Sequence, residues 1–230
     1  MNRHVVVRQI RRADAAVIAE LGDAGAATVH EAIGRRGFVG SDIRPIQRDV
    51  RLAGSAVTVS SHPGDNLMIH AAVEVCEAGD ILVVANTAPS SHGMFGELLA
   101  SSVMARGVRG LVVDAGVRDT RELRALGFPV WARHVSCQGT VKATAGSVNV
   151  PIVLGGVVIS PGDVICADDD GVVAVPAAEA EWALEQSRIR IAAEEQTRAK
   201  LTAGELGVDF YGLRDKLAEL GVKYVDTLEA

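Results

Sequence analysis

The sequence is short of aromatic residues, cysteine and lysine, and each shortage closes off a class of protein. Phe, Trp and Tyr make up 3% of the 230 residues against 48% hydrophobic residues in all, so Val, Leu, Ile and Ala must fill the core. The three cysteines, Cys76, Cys137 and Cys166, are odd in number and far apart. That pattern fits reduced thiols in the cytoplasm and not a disulfide framework. No Cys-x-x-Cys pair occurs, which argues against a structural zinc site. His4, His30, His62, His70, His92 and His134 form no His-Glu-x-x-His arrangement, so a metallopeptidase-type site is not expected. Long apolar runs are missing too. The longest, such as 81–85, are strand-sized, and no membrane span is expected. Residues 1–14 lack a continuous apolar stretch and do not read as a secretion signal. A net charge of −6 gives no support for a nucleic-acid surface, yet leaves room for an anionic small molecule at a local arginine.

What is present is an alternation of two periods. Strand-like runs lie at 55–60, 80–85, 110–114 and 128–132, with helical patterns at 15–21, 26–33, 66–76 and 96–106. The early half therefore predicts an α/β fold. Later strands at 150–154, 157–159 and 171–175 are separated by Gly155-Gly156, Pro161-Gly-Asp and Asp168-Asp-Asp-Gly, which are turn signals. The Asp168–Asp170 run lacks the spacing of a calcium loop and reads as a turn. From 177 onward the pattern is helical, with Trp182, Ile189 and Leu201 among charged residues. Gly204 and Gly207 interrupt it, and a second helical run covers 211–220. No repeat or linker divides the chain, so the expectation is one domain over 1–176 with a helical extension over 177–230.

The segment 93–126 carries the most chemistry. Gly96-Glu97-Leu98-Leu99 opens a helix that Gly107 is placed to stop. The first N–H groups of a helix have no internal acceptor and favour a carboxylate. A buried strand over 110–114 follows, then a turn at Ala115-Gly116-Val117, then Arg118-Asp119 and a helix over 120–126. Functional groups in such β–α–β units gather at the carboxyl ends of strands, where Arg118 and Asp119 fall. Locally, Asp119 reads first as the cap of the Thr120 helix, with Glu122 completing a capping box. Arg118 likewise reads locally as a surface or packing arginine or as the salt-bridge partner of Asp114. His62 and His92 lie in loops near the same edge.

Glu97, twenty further residues and Arg118-Asp119 resemble the acidic-x20-Arg-Asp signature of the 4-hydroxy-4-methyl-2-oxoglutarate and 4-carboxy-4-hydroxy-2-oxoadipate aldolase family. That family usually has Asp at the first position. The resemblance runs through Gly54-Ser-Ala-Val-Thr-Val, His62-Pro-Gly-Asp-Asn, Phe95-Gly-Glu-Leu-Leu-Ala and Gly110-Leu-Val-Val-Asp-Ala-Gly-Val-Arg-Asp. It continues in Pro161-Gly-Asp-Val-Ile-Cys-Ala and, in the tail, in Ala203-Gly-Glu-Leu-Gly and Lys223-Tyr-Val. It implies a three-layer β/β/α domain of the swivelling type (RraA-like), self-association as trimers or hexamers, and sites at subunit interfaces. It implies a class II pyruvate aldolase of bacterial aromatic degradation that uses Mg2+ or Mn2+.

Carried onto this chain, the backbone of Gly96, Glu97, Leu98 and Leu99 would hold the pyruvyl carboxylate. Arg118 would meet the keto oxygen or carboxylate, and Asp119 would hold the metal with waters completing its shell. Glu194 in the tail would approach a neighbour's site, although Glu195 beside it could take that place. Metal-bound water, assisted by Glu97 or Glu194, would take the hydroxyl proton. A Schiff-base route would need a lysine of lowered pKa. Of the four lysines, Lys142, Lys200, Lys216 and Lys223, only Lys142 lies outside the charged tail, and a solvated role suits it better. The other function to weigh is a non-catalytic binding protein resembling the regulator of ribonuclease activity A.

Overall fold

Apolar side chains that alternate along 52–135 place two cores on opposite faces of one sheet. The computed structural model describes residues 4–227. Residues 1–3 and 228–230, the ends of the N-terminal segment and of the helical extension read above, lie outside the described residues. The chain divides into two compact units, Met1–Arg188 and Ile189–Ala230.

The first unit opens with α1 (Ala15–Ala24) and α2 (Ala26–Ala32), followed by β1 (Arg44–Pro45) and β2 (Leu52–Ser61). Next come α3 (Leu67–Val73), β3 (Asp80–Asn86), β4 (Gly93–Phe95) and α4 (Glu97–Met104). Then β5 (Gly110–Val117), α5 (Thr120–Ala125) and β6 (Val130–Val135) complete the alternating part. The short strands β7 (Ser147–Val148), β8 (Ile152–Leu154), β9 (Val157–Ile159), β10 (Val164–Ala167) and β11 (Val172–Val175) follow, and α6 (Ala180–Thr202) begins after them. The main sheet runs β1-β6-β5-β3-β2-β10-β11, with β4 joined to β5 and β7 to β2. The pairs β2–β3, β3–β5, β4–β5 and β5–β6 are parallel, and β10 and β11 add antiparallel strands beyond β2.

On one face, Val57, Leu82, Val84, Leu111 and Val113 pack against Ile69, Leu99, Val103 and Leu123 of α3, α4 and α5. On the other, Ile81, Val83, Val112 and Trp131 pack against Ile152, Leu154 and Ile159 of the β8–β9 hairpin. That gives hairpin, sheet and helices as three layers, the expected β/β/α arrangement. Because the central strands are covered on both faces, they read as continuous apolar runs instead of alternating with polar residues. A third core joins Leu21 and Val29 of α1 and α2 to Val164, Cys166 and Val173, under Ala183 and Leu184.

Helix ends follow local chemistry. Asp14 caps α1, its side chain accepting from Ala16 N–H at 2.8 Å. Gly107, at φ +78°, ends α4 with Gly107 N–H to Met104 O at 2.9 Å and Val108 N–H to Val103 O at 3.1 Å. That paired bonding is the Schellman arrangement, which needs a left-handed residue. Asp168 forms the expected turn between β10 and β11 and also accepts Ala26 N–H at 2.8 Å. Cys76 and Cys166 are buried, and burial pushes each thiol up to about 12, while Cys137 is exposed; all three are free.

Within the second unit α6 ends at Thr202, and α7 (Gly207–Phe210) and α8 (Leu213–Glu219) follow. Gly207, read from sequence as an interruption, is instead the first residue of α7. The break falls at Gly204, whose φ of +88° a helix interior does not accept. No helix of the described residues is long and apolar enough to cross a membrane.

Candidate active site

The strand over 110–114 does not end at a turn, as its sequence suggests, but continues as β5 through Val117. The reason is β4. Gly93 and Phe95 pair with Gly116 and Val117, and β6 continues the pairing on the other side with His134 and Val135. Gly116 must be glycine for this approach, because a Cβ there would lie 2.4 Å from Ser91 O and 2.8 Å from His92 O. Arg118 N–H then donates to Phe95 O at 2.9 Å, and Ser136 N–H to Val117 O at 2.9 Å. The carboxyl ends of β4, β5 and β6 are thus laced together, and the start of α4 and the Arg118-Asp119 pair emerge side by side.

Asp119 occupies the N-cap position of α5, but its side chain makes no capping bond. The expected capping box with Glu122 is absent. With φ 54° and ψ 36° the residue is left-handed, a conformation Asp tolerates better than most. That turn swings the carboxylate away from its own helix and onto the neighbouring one, where Oδ2 accepts Glu97 N–H at 3.2 Å. The Nε of Arg118 stands 3.6 Å from the same oxygen, with the two side chains 45% and 39% exposed, so both still face solvent. Asp114, proposed above as a partner for Arg118, is taken by Arg133, which also binds Asp42.

Space around the pair is fixed by Gly96. Its backbone is extended, which any residue can adopt, yet a Cβ there would come within 2.3 Å of Asp119 Oδ2 and 3.0 Å of Arg118 Cγ. The first bond inside α4 is Ala100 N–H to Gly96 O, so the N–H groups of Leu98 and Leu99 precede it. The Glu97 carboxylate turns along its own helix and accepts Ser101 Oγ–H at 3.0 Å.

A cavity of about 100 Å³ lies against this edge, bordered by Leu98, Leu99, Arg118 and Asp119 and, from other parts of the chain, by Asn66, His70 and Lys142. A second hollow of about 290 Å³ shares Arg118 and Asp119 and is bounded by Val135, Ser136 and Cys137. Sequence reasoning did not place Asn66, His70 or Lys142 here. Lys142 is exposed, as expected, and sits on a loop that buried Asp65 organises. Desolvation alone would raise the Asp65 carboxyl, but the N–H groups of Leu67, Ala143 and Thr144 donate to it and hold it below the usual range. His70 is lowered by desolvation and by the nearby Lys142. Neither His62 nor His92 borders this cavity. The ring of His92 covers Gly64, and His62 is exposed with Nδ1 3.1 Å from Pro63 O. Of the other hollows, those of about 240 Å³ beside His30 and Phe38 and about 690 Å³ beside His62 and Thr87 contain no arginine, while one of about 280 Å³ is bordered by Arg8, Glu74, Glu77 and Arg106.

Among the described residues no three His, Cys, Asp or Glu side chains converge to hold a metal. Asp119 offers a single, partly exposed carboxylate. Glu194 lies in the second unit and pairs with Arg190 at 2.8 Å, while Glu195 pairs with Arg198 at 3.4 Å.

A family model described as RraA-like, Aldolase/RraA, matches residues 18–174. The chain belongs to the Aldolase/RraA family. The match contains every residue of the Arg118 cavity and stops short of Glu194. A relative from Halalkalibacterium halodurans, named "Putative 4-hydroxy-4-methyl-2-oxoglutarate aldolase", is 31% identical over 171 residues, covering 74% of this chain and 81% of its own. The solved structure of Streptomyces coelicolor RraAS2, described as an unusual member of the RNase ES inhibitor RraA family, aligns with a TM-score of 0.74 at 28% identity. That alignment covers 82% of this chain and 100% of the other. The RNA-processing inhibitor RraA from Thermus thermophilis aligns with a TM-score of 0.59 at 27% identity, over 65% of this chain and 91% of the other. Fold and family agree with the expectation from sequence.

Proposed function

We propose that this protein is a divalent-metal-dependent class II pyruvate aldolase acting on 4-hydroxy-2-oxo acids. It would split 4-carboxy-4-hydroxy-2-oxoadipate to pyruvate and oxaloacetate, and 4-hydroxy-4-methyl-2-oxoglutarate to two pyruvates, with oxaloacetate decarboxylation as a side activity. The observation that carries the reading is the meeting of Arg118, Asp119 and the first turn of α4 at one small cavity.

Asp119 would hold Mg2+ or Mn2+. A lone, solvent-facing carboxylate suits a hard ion that keeps most of its waters, and the lack of a converging ligand set among the described residues does not suit zinc. The ion supplies Lewis-acid stabilisation of negative charge on the pyruvyl unit. The chain's own groups do the rest. N–H groups of Leu98 and Leu99 fix the substrate's C1 carboxylate and so the orientation of the C3–C4 bond. As that bond breaks, its electrons move onto the C2 oxygen, where the Arg118 guanidinium is a fixed positive partner. The C4 hydroxyl gives up its proton and becomes a carbonyl, with Glu97 or a neighbouring copy's Glu194 as the carboxylates that would receive it. Lys142 and His70 also border the cavity and add donors, which suits a substrate bearing a second carboxylate. Leu98 and Val135, 78% and 66% exposed beside the pair, leave an apolar rim that favours self-association at this edge.

A coupled assay of pyruvate release tests the reading. Both substrates are expected to yield pyruvate with Mg2+ or Mn2+, to stop doing so on chelation, and to resume when metal returns. Undiminished cleavage by chelator-treated protein would end it. Gly96→Ala is expected to push the Asp119 carboxylate aside and lower this activity at least about tenfold, or about 1.4 kcal/mol. Because the displaced atom is the tip of a half-exposed side chain, the melting temperature should fall by less than about 4 °C. A second reading, a binding protein of the ribonuclease-inhibitor type, is favoured by the two structural neighbours that bear such names. Protein that binds metal but releases no pyruvate from either substrate would move the conclusion there.

A further inference from the structure

Two stretches that border the Arg118 cavity lie far apart in the chain: Asn66 and His70, before and in α3, and the loop that carries Lys142. Residues 141–145 of that loop are all exposed, so hydrogen bonds and not burial must fix them. The bonds converge on residues 64–66. Val141 N–H donates to Gly64 O and Asn66 N–H to Val141 O, each at 3.0 Å. Between these two backbone bonds, Asp65 is 0% exposed and reaches both segments. Its Oδ1 accepts Leu67 N–H at 2.9 Å in the first turn of α3. Its Oδ2 accepts Ala143 N–H at 2.8 Å and Thr144 N–H at 2.6 Å from the loop. An ionised carboxylate has two acceptor oxygens and no donor, and here both oxygens are used.

The group placed in this way is a cation. Among the described residues Lys142 forms no ion pair. At the cavity Arg118 faces Asp119, and Lys142 is the positive group left without a carboxylate. Burial, and after it the Lys142 charge, keep His70 below its ordinary value, so at neutral pH the imidazole adds a donor and little charge.

We propose that Asp65, acting through the Lys142 loop, sets a preference for substrates with a carboxylate on C4, because it holds the Lys142 ammonium where that carboxylate arrives. This deepens the aldolase reading above and rests on it. Both proposed substrates carry a carboxylate on C4. Pyruvate, which has only the C1–C3 end, does not. The contact with Lys142 is the same before and after the C3–C4 bond breaks, so it tightens binding without speeding the chemical step. Asp65 touches no substrate and is a positioning residue.

Kinetics with 4-hydroxy-4-methyl-2-oxoglutarate and Mg2+, beside inhibition by pyruvate, test this. Asp65→Ser keeps an oxygen that can accept Leu67 N–H two residues on, but it is too short to reach the loop. It is expected to raise KM about tenfold, the lower end of what a hydrogen bond to a charged group contributes. The kcat and the pyruvate inhibition constant should change by less than about threefold, as for the loss of an interaction made equally in substrate and transition state. Lys142→Ala should do the same. The double variant should be no worse than either single one, because both changes remove one contact. A pyruvate constant that rises with KM, an unchanged KM, or losses that multiply in the double variant overturn the proposal. Thermal unfolding checks each protein, and if Asp65→Ser does not fold, Lys142→Ala decides by the same two constants. Wild-type protein that releases no pyruvate from either acid removes the aldolase reading and this proposal together. Active wild type whose variants fail the comparison removes this proposal alone.

Discussion

Replacing Arg118 by alanine is expected to lower kcat for pyruvate release about a hundred- to a thousandfold, the cost of removing one fixed donor aimed at developing negative charge. The fold should survive. The Arg118 side chain is 45% exposed, and its only ion-pair partner among the described residues is Asp119 at 3.6 Å. Exposed pairs of that kind contribute between about 0 and 1 kcal/mol, so the unfolding midpoint should hardly move. Arg118→Lys should recover activity only in part, because a point charge cannot reproduce the planar fork of the guanidinium. Steady-state kinetics beside thermal unfolding separate the two effects. Wild-type turnover in the alanine variant would take Arg118 out of the chemistry.

Asp119→Asn is the sharper probe of the neighbouring residue. Asparagine tolerates the left-handed backbone at 119 and keeps an oxygen that can accept Glu97 N–H, so the start of α4 should be undisturbed. What it lacks is the charge. Mn2+ affinity, read by titration calorimetry or paramagnetic resonance, should fall by more than about a hundredfold, beyond what changes one step removed from a metal cost. Pyruvate release should fall with it. Unchanged Mn2+ binding in this variant would leave Asp119 only its bond to α4 and would move the metal elsewhere.

Some of this was plain in the residues. The runs at 80–85 and 110–114 became β3 and β5 because apolar side chains on both faces of a strand leave a continuous signal. Gly107 and Gly127 mark the ends of α4 and α5, where φ of +78° and +65° suits glycine. Other parts were misleading at short range. Strand β4 is three residues long and carries no period of its own. Without it, the glycine at 116 read as a turn and not as the close approach that extends β5. Asp119 followed by Thr, Arg and Glu is a respectable capping box, and nothing in those four residues reveals that the carboxylate faces a different helix. Asn66, His70 and Lys142 lie far along the chain from Arg118 and carried no local signal for the site.

The longer strands and most helices, the family resemblance and the Arg118-Asp119 pair were legible along the chain, because periodicity and motif are properties of neighbouring residues, whereas β1, β4, β7 and β10 are too short to show a period. The environment of that pair came only from contacts between distant segments. Parallel pairing of β4 with β5 brings Glu97 N–H to the Asp119 carboxylate, and the Asp65 hydrogen bonds carry the Lys142 loop to the start of α3. Both depend on backbone groups distant along the chain finding one another, and such contacts have no period to be read.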